Sequence, residues 1–501
     1  SYSFDGVEAY GYTYFSPRAQ HQTGEMIDVY DWDTGHFLGR IPQQMNITYN
    51  VVGNVNEYGL VITESTFDGL PILMHQTHAI LDYGSLIHIT LQRAKTAREA
   101  IKVMTSLVSQ YGYFSTGESF SIADEKEIWM MEMIGKADFE LGAVWVAIRI
   151  PDGHVTAHAN QARIRRVPLN SPDDSIFSPE VISCAWLHKL YNGSTDEEFS
   201  FSDTYNPVSV RSARGDEMRV WSFFRFASSD ETMKPFQDYV RGANITNRMP
   251  LSIQPSRKIS LLDVVQMMKD HYEGTPFEFT SEVGAGAWQL PYRWRPRDWK
   301  VDGKTYLNPR PIAVQQTAFI TVAQIRWWMP DPFKAINWQG VDDAACTIHT
   351  PLYGGITEIP SAYAKGTADG MTFSFQSAFW VFNLVANWAY TRWSVVYPTI
   401  QAKASSVQNQ LFSDAWTVDS KVLALCEQGA TEEAVSLATS FAVSTGNKLV
   451  SDWLLFWQYL FVRYLDGNTR IEQPGEQNPQ ILYSGYGDAW YFTVDPTQIN
   501  P

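Results

Sequence analysis

The sequence predicts an α+β fold, and three observations carry that expectation. Short runs of β-forming residues recur through the first third, separated by Asn/Gly-rich or Pro-Asp-Gly turns. An amphipathic helix with its own start signal is inserted among them. Beyond Tyr363 the apolar pattern becomes mostly helical. Antiparallel strands with inserted helices each have an apolar face to bury, and burying those faces against one another makes layers.

The elements follow in order. Residues 48–53 and 60–66 read as two strands joined by a turn over residues 54–59. Thr96-Ala97-Arg98-Glu99 is a capping box, in which the Thr96 and Glu99 side chains satisfy orphan amides. It opens a helix whose apolar face carries Ala97, Ile101, Met104, Leu107 and Val108 and which ends near Gly112. Three strands are expected over residues 119–123, 127–134 and 143–150. The last leads through Pro151-Asp152-Gly153 into an outgoing strand over residues 154–158, an antiparallel hairpin. It closes on His158-Ala159-Asn160-Gln161-Ala162-Arg163-Ile164. Amides at a strand end can serve as oxyanion donors, although a capped strand end with a surface arginine is the simpler reading.

Residues 168–209 are polar and loop-like, and Ser260 is the N-cap of a helix expected over residues 261–272. The Trp/Pro/Arg-rich stretch 288–299 reads as irregular chain wrapping a surface. Residues 373–397 are the most membrane-like, but Gln376, Asn383, Asn387 and Arg392 interrupt them, which favours a buried amphipathic helix over a membrane span. Two more amphipathic helices are expected over residues 431–441 and 448–464. The resulting division is a core over residues 1–350, with an insertion at 168–209, and a mostly helical C-terminal region over 351–501.

Composition excludes several functions. A net charge of −16 argues against a nucleic-acid partner, because phosphate binding needs clustered Lys and Arg. Three dispersed cysteines, Cys184, Cys346 and Cys426, make neither a disulfide framework nor a thiolate zinc site. The Gly-rich nucleotide loops, the H-E-x-x-H helix and the G-x-S-x-G elbow are absent. Asp342-Asp343 would face opposite ways on a strand and suit a structural or solvated role. His271 stands at a helix end, where a cation complements the dipole.

Several stretches point further. They are Tyr30-Asp31-Trp32-Asp33-Thr34-Gly35, Asn54-Val55-Asn56-Glu57-Tyr58-Gly59-Leu60 and Gly117-Glu118-Ser119-Phe120-Ser121-Ile122-Ala123-Asp124. To these add the run from Trp145 to Ile150, the segment from His158 to Ile164, Arg219-Val220-Trp221-Ser222-Phe223-Phe224, and the run from His271 to Pro276. Together, and in this order, they resemble the dipeptidase A family of N-terminal-nucleophile (Ntn) cysteine hydrolases, related more distantly to the secernins and to the penicillin and bile-salt acylases.

The resemblance implies a four-layer αββα sandwich with a helical C-terminal extension, and hydrolysis of short peptides without metal or organic cofactor. An N-terminal Cys thiolate would attack the carbonyl, with its own α-amine as base. Asn160 resembles the oxyanion donor of the related acylases, and Arg219 resembles the arginine that orders the nucleophile. Glu64, Ser65 and Gln161 would be substrate contacts. One departure is marked: no cysteine precedes Cys184, and Ser1-Tyr2 looks like text that follows the family's opening strand. The nucleophile is therefore expected upstream, on a longer chain or a separate N-terminal peptide, with Ser1 as the alternative. Two other classes stay open: an inactive Ntn scaffold acting as an interaction protein, and a carbohydrate-active protein suggested by the 18 tryptophans. A secreted, periplasmic or lysosome-like location is expected, with the cytoplasm as alternative, and homo-oligomerisation is compatible with the sequence.

Overall fold

A computed structural model describes residues 2–3, 11–74, 76–488 and 490–491 of the chain, so Ser1 and residues 4–6 lie outside the described residues. The first sheet and its helices are built from Phe15–Ser16, Val51–Val52, Val55–Asn56, Val61–Asp68, Tyr83–Leu91, Ala97–Tyr111, Gly117–Ala123, Ile128–Gly135, Ala143–Arg149 and Ser175–Phe177. With Tyr2–Ser3 taken as β1, these strands are β2, β3, β4, β5, β6, β7, β8 and β9, and the two helices are α1 and α2. The helix Met218–Ala227 is α3. A second sheet adds Thr317–Ile325 (β10), Ala335–Val341 (β11) and Thr350–Tyr353 (β12). Three helices follow, Ala378–Thr391 (α4), Trp393–Glu427 (α5) and Thr431–Arg463 (α6).

The larger sheet has eight antiparallel strands in the order β9-β8-β7-β6-β5-β4-β3-β2, and the smaller runs β1-β10-β11-β12. Alternation decides what each face meets. Ile62, Phe120, Ile122, Met131 and Met133 pack against Leu86, Ile101, Met104 and Leu107 of α1 and α2. Val52, Val55 and Val61 share a second core with Ile320, Val322 and Trp338 of the smaller sheet. The helices α4 to α6 cover that sheet, with Val381, Val385, Ala438 and Ala442 in the same core. The layers thus stack helix, sheet, sheet, helix. Gly53 lets the sheets approach: its φ is +60°, and a Cβ there would lie 2.2 Å from Asn337 Nδ2 on β11. The protein is a mixed α/β structure with one large sheet and a helical C-terminal region.

Several expectations change. Helix α2 starts on the expected cap, with Thr96 Oγ1 accepting from Glu99 N at 3.3 Å. The turn over residues 54–59 contains a third short strand, β4. The expected hairpin after β8 does not form. Its turn is present, with His154 N donating to Pro151 O, but the place beside β8 is taken by β9, and Val155–Thr156 pairs instead with Ser252–Ile253. Residues 168–209 are therefore not plain loop. They supply an edge strand, and Val181, Phe199, Phe201 and Tyr205 form a core with Met130, Ile134 and Val144. The helix after Ser260 ends at Met267, and the two C-terminal helices are one, α6, whose Gly446 packs against Pro360. The apolar stretch 373–397 breaks at Arg392, whose guanidinium donates to Tyr464 O at the end of α6. Among the described residues no helix is long and apolar enough to cross a membrane.

Asp342 and Asp343 are buried where β11 ends, and Asp343 accepts from the Tyr292 and Tyr390 hydroxyls at 2.6 and 2.8 Å. His271 is buried too, its Nδ1 2.8 Å from Glu273. Both are structural parts of the helical side.

Arg163 is the largest correction. It is 4% exposed rather than a surface residue. Its Nε lies 3.0 Å from the fully buried Glu217, and its Nη atoms donate to the carbonyls of Ala157, Leu251 and Pro250. Its own backbone N–H, with that of Ile164, donates to the Glu132 carboxylate on β7 at 2.5 and 3.0 Å. A charge this deep is tolerated only when paired and hydrogen-bonded.

Two outcomes follow from these contacts. Replacing Glu132 by Ala strands two buried amides, at about 1–3 kcal/mol each. Urea unfolding should show a loss of about 3 kcal/mol or more, with Glu132→Gln, which keeps one acceptor oxygen, falling between it and wild type. The second concerns acid. Burial, then the charge of Lys269, pushes the His349 pKa down to about 3. The folded state keeps His349 neutral while the unfolded chain protonates it below about pH 6.5, so this stability is present above that pH and is lost as pH falls. Between pH 6.5 and 4.5 the wild type should lose about 2 kcal/mol more than His349→Leu. Equal losses in urea titrations at the two pH values would refute the assignment.

Candidate active site

The segment clamped by Glu132 and Arg163 crosses the ends of β5 and β6 and meets the turn that leads into α3. Ser65 on β5 and Ser121 on β6 flank His158. Ser65 Oγ donates to Ala159 O at 2.5 Å and lies 2.6 Å from His158 Nδ1, while Ser121 Oγ lies 2.8 Å from Nε2. The Ser65 proton is engaged by the carbonyl, so Nδ1 carries a proton and donates to Ser65, leaving Nε2 to accept from Ser121. Burial, then the Arg163 charge, pushes the His158 pKa down to about 3, which keeps this ring neutral. His158 therefore does not act as a base toward Ser65, and the group is a rigid support rather than a nucleophilic triad.

Asn160 stands next in the chain. Its Oδ1 accepts from Arg219 Nη2 at 2.7 Å and lies 3.5 Å from Arg310 Nη1, and its Nδ2 donates to Thr66 O on β5 at 2.5 Å. Two guanidiniums on one side fix which end of the amide is oxygen. An amide nitrogen has two N–H bonds, so the second remains for a ligand. Arg219 is held by α3 and by the π-helical turn Ala213–Glu217, through Gly215 O at 3.0 Å and Asp216 at 3.0 Å. Burial raises the Asp216 pKa and the Arg219 charge opposes that rise. Burial, then Arg219 and Arg297, lowers Arg310 to about 9. The site is electropositive.

A cavity of about 210 Å³ opens beside Asn160, bordered by Gln161, Asn206, Asp216, Arg297 and Leu307. Gln161 is buried and donates to the Asn206 backbone and side-chain oxygens at 2.6 Å, so it shapes this wall. Of the residues singled out in the sequence, Asn160 and Arg219 touch, and Ser65 and Gln161 lie beside them. Glu64 does not join them. Alternation along β5 turns it to the face opposite Ser65, where it shares a hydrogen bond with Glu118. Burial and that neighbour push Glu118 well up, and the pair holds a proton.

Asp216, Arg297 and Arg310 were not foreseen, and His158 was noticed without a role. Arg293, Arg295, Arg297 and Arg310 are dense enough in sequence to have signalled an anion site, but a surface-wrapping stretch explains the same pattern. The cysteines lie elsewhere: Cys184 and Cys346 are buried and Cys426 half-buried, and burial raises all three thiols. Such thiols are poor nucleophiles. Among the described residues no three His, Cys, Asp or Glu side chains are grouped to hold a metal ion.

Comparison with known proteins gives the family. Residues 18–406 match peptidase family C69. A probable dipeptidase of Latilactobacillus sakei is 24% identical over 337 residues, 66% of this chain and 63% of that protein. The dipeptidase of Bifidobacterium longum (strain NCC 2705) is 24% identical over 361 residues, 70% of this chain and 61% of its own length. A probable dipeptidase of Salmonella dublin is 24% identical over 314 residues, with 62% and 64% covered. The match thus spans somewhat over three fifths of the length of these relatives. With more than half of its residues matched by one family, the chain belongs to peptidase family C69.

Proposed function

We propose that this protein hydrolyses dipeptides and other short peptides by an N-terminal-nucleophile mechanism. The observation that carries the reading is the Asn160–Arg219 contact at the mouth of a peptide-sized cavity, in a chain belonging to a peptidase family. The helix, sheet, sheet, helix order supports an Ntn-type sandwich, and dipeptidase is the name its relatives carry.

In this mechanism the attacking group is the thiolate of a cysteine N-terminal to Ser1. Its own α-amine, which titrates at about 7.7–8.0 in the unperturbed state, takes the thiol proton and later delivers it to the leaving amine. No separate histidine is required, consistent with a His158 that is neutral and engaged on both nitrogens. Attack places negative charge on the scissile carbonyl oxygen, and the free N–H of Asn160 Nδ2 donates to it. Arg219 acts through Asn160: it holds Oδ1, so the amide cannot turn over, and its charge favours both thiolate and oxyanion. Ser65 and Gln161 support the peptide by fixing the walls, through Ala159 and Asn206. Glu64 contributes from behind β5, as part of the proton-holding pair with Glu118.

The test is release of free amino acids from a dipeptide panel by the full-length protein, with thiol alkylation as a second arm. Hydrolysis should be abolished by alkylation, and Asn160→Ala should lower kcat by about 10²–10³ while leaving the unfolding midpoint nearly unchanged. Arg219→Lys should retain more activity than Arg219→Ala, since it keeps the charge but not the fork. Absence of amino-acid release across the panel would refute the reading and favour an inactive scaffold.

A further inference from the structure

The cavity beside Asn160 has one cationic wall that the proposed chemistry leaves unused. Arg297 lines it, half-buried, and among the described residues its guanidinium has no ion-pair or hydrogen-bond partner. Two acids border the cavity: Asp216 is engaged by Arg219 at 3.0 Å, and Asp68 makes no ion pair with Arg297 among the described residues. Removing a guanidinium even partly from water without an anion is unfavourable, and here a neighbouring guanidinium adds to the penalty. Burial, then the charges of Arg219 and Arg295, lowers the Arg297 pKa, in keeping with a cation kept near other cations.

Arg297 is also held in place. It stands at the root of the hairpin formed by Asp298–Val301 and Lys304–Leu307, and its carbonyl accepts from Asn308 N at 2.8 Å. The next residue, Asp298, pairs with Arg211 at 3.2 Å, which ties the hairpin to the chain ahead of α3. Leu307 closes the same cavity with an apolar surface. A fork of donors on an anchored backbone, an apolar wall and a small volume suit a terminal amino-acid residue with its carboxylate.

We infer that this cavity binds the free C-terminal carboxylate of the substrate, with Arg297 as its counter-ion, and that this contact selects dipeptides over longer or blocked peptides. The inference rests on the hydrolytic reading for the position of the scissile bond. In a dipeptide the carboxylate lies one residue beyond the scissile carbonyl, about 3.8 Å from Cα to Cα, so an oxyanion donor and a carboxylate site in one cavity have the right spacing. A third residue would put a neutral peptide group where the carboxylate should be, leaving Arg297 unpaired.

The test compares a dipeptide analogue whose scissile amide is reduced, and so cannot be cleaved, with the same analogue carrying a C-terminal amide. Calorimetric Kd values are measured for the wild type, Arg297→Gln and Arg297→Lys, alongside hydrolysis of the parent dipeptide and its amide. The wild type should prefer the free acid by about tenfold or more. Arg297→Gln should bring the acid-to-amide ratio close to one, and Arg297→Lys should keep part of it, which separates lost recognition from lost folding. No preference in the wild type, or a preference that survives in Arg297→Gln, overturns the inference. An Arg297-dependent preference without hydrolysis of any dipeptide leaves the carboxylate site standing and removes the hydrolytic reading instead. Hydrolysis without acid preference does the reverse.

Discussion

The buried Arg163 charge is the constraint on which the arrangement around Asn160 depends. A guanidinium has five donors and no acceptor, so burying it requires one carboxylate and several carbonyls to converge on it. Glu217 supplies the carboxylate from the turn before α3, and Ala157, Pro250 and Leu251 supply the carbonyls. The Arg163 and Ile164 amides are fixed independently by Glu132 on β7. These contacts join the sheet, the crossing segment and α3 in one place. Glu217 and Arg219 are two residues apart, so seating Glu217 against Arg163 also sets how near Arg219 comes to Asn160. Tyr239 OH donates to the second oxygen of Glu217 at 2.9 Å, which leaves that carboxylate little freedom to move.

Charge is segregated across the central sheet. On the Ser65 side, Arg219, Arg297 and Arg310 gather around Asn160, with Asp216 held by Arg219 and Asp68 on the cavity border. On the opposite side Glu64 and Glu118 share a proton, so this pair offers less negative charge to offset the arginines than two free carboxylates would. A neutral His158 fits the same logic, because protonating it would add another cation beside Arg163. The result is an electropositive site of the kind that the proposed thiolate, oxyanion and substrate carboxylate would require.

The sequence made the strands β6 to β8 and the helix α2 legible because their signals are local: alternation, a 3.6-residue stripe, a Thr cap. Asn160 and Arg219 were each nominated only through resemblance, and their pairing was not legible, since 59 residues separate them and no spacing rule links them. Partner choice was not legible at all. The strand order after β8 turns on whether residues 154–158 or 175–177 occupy one edge, and both have strand-forming text. The burial of Arg163 was hidden for a related reason. An arginine reads as surface until its carboxylate is known, and Glu217 lies 54 residues further along the chain. Resemblance grouped Glu64 with Ser65 as substrate contacts, but successive residues on a strand face apart, and the pleat separates them.

The same buried groups set a tension between catalysis and stability. Burial pushes the Glu132 pKa up to about 7 and that of Asp342 up to about 8. Acids with raised folded pKa values stabilise fully below their unfolded values, and that contribution is lost as pH rises through the folded ones. An α-amine acting as base requires the opposite, because it must be unprotonated before it can accept the thiol proton. Raising the pH toward 8 therefore frees the base while it ionises the carboxyl that anchors Arg163 and Ile164. Glu132 is protected in part, since two backbone amides and the Arg163 charge favour its ionised form. Asp342, with the Asn383 amide at 2.9 Å and the like charge of Asp343 beside it, ionises above Glu132, so the helical side keeps its proton longer than the clamp does. The Glu132 clamp therefore ionises within the pH range in which the proposed base becomes competent, and the two amides and the Arg163 charge hold the carboxylate that results.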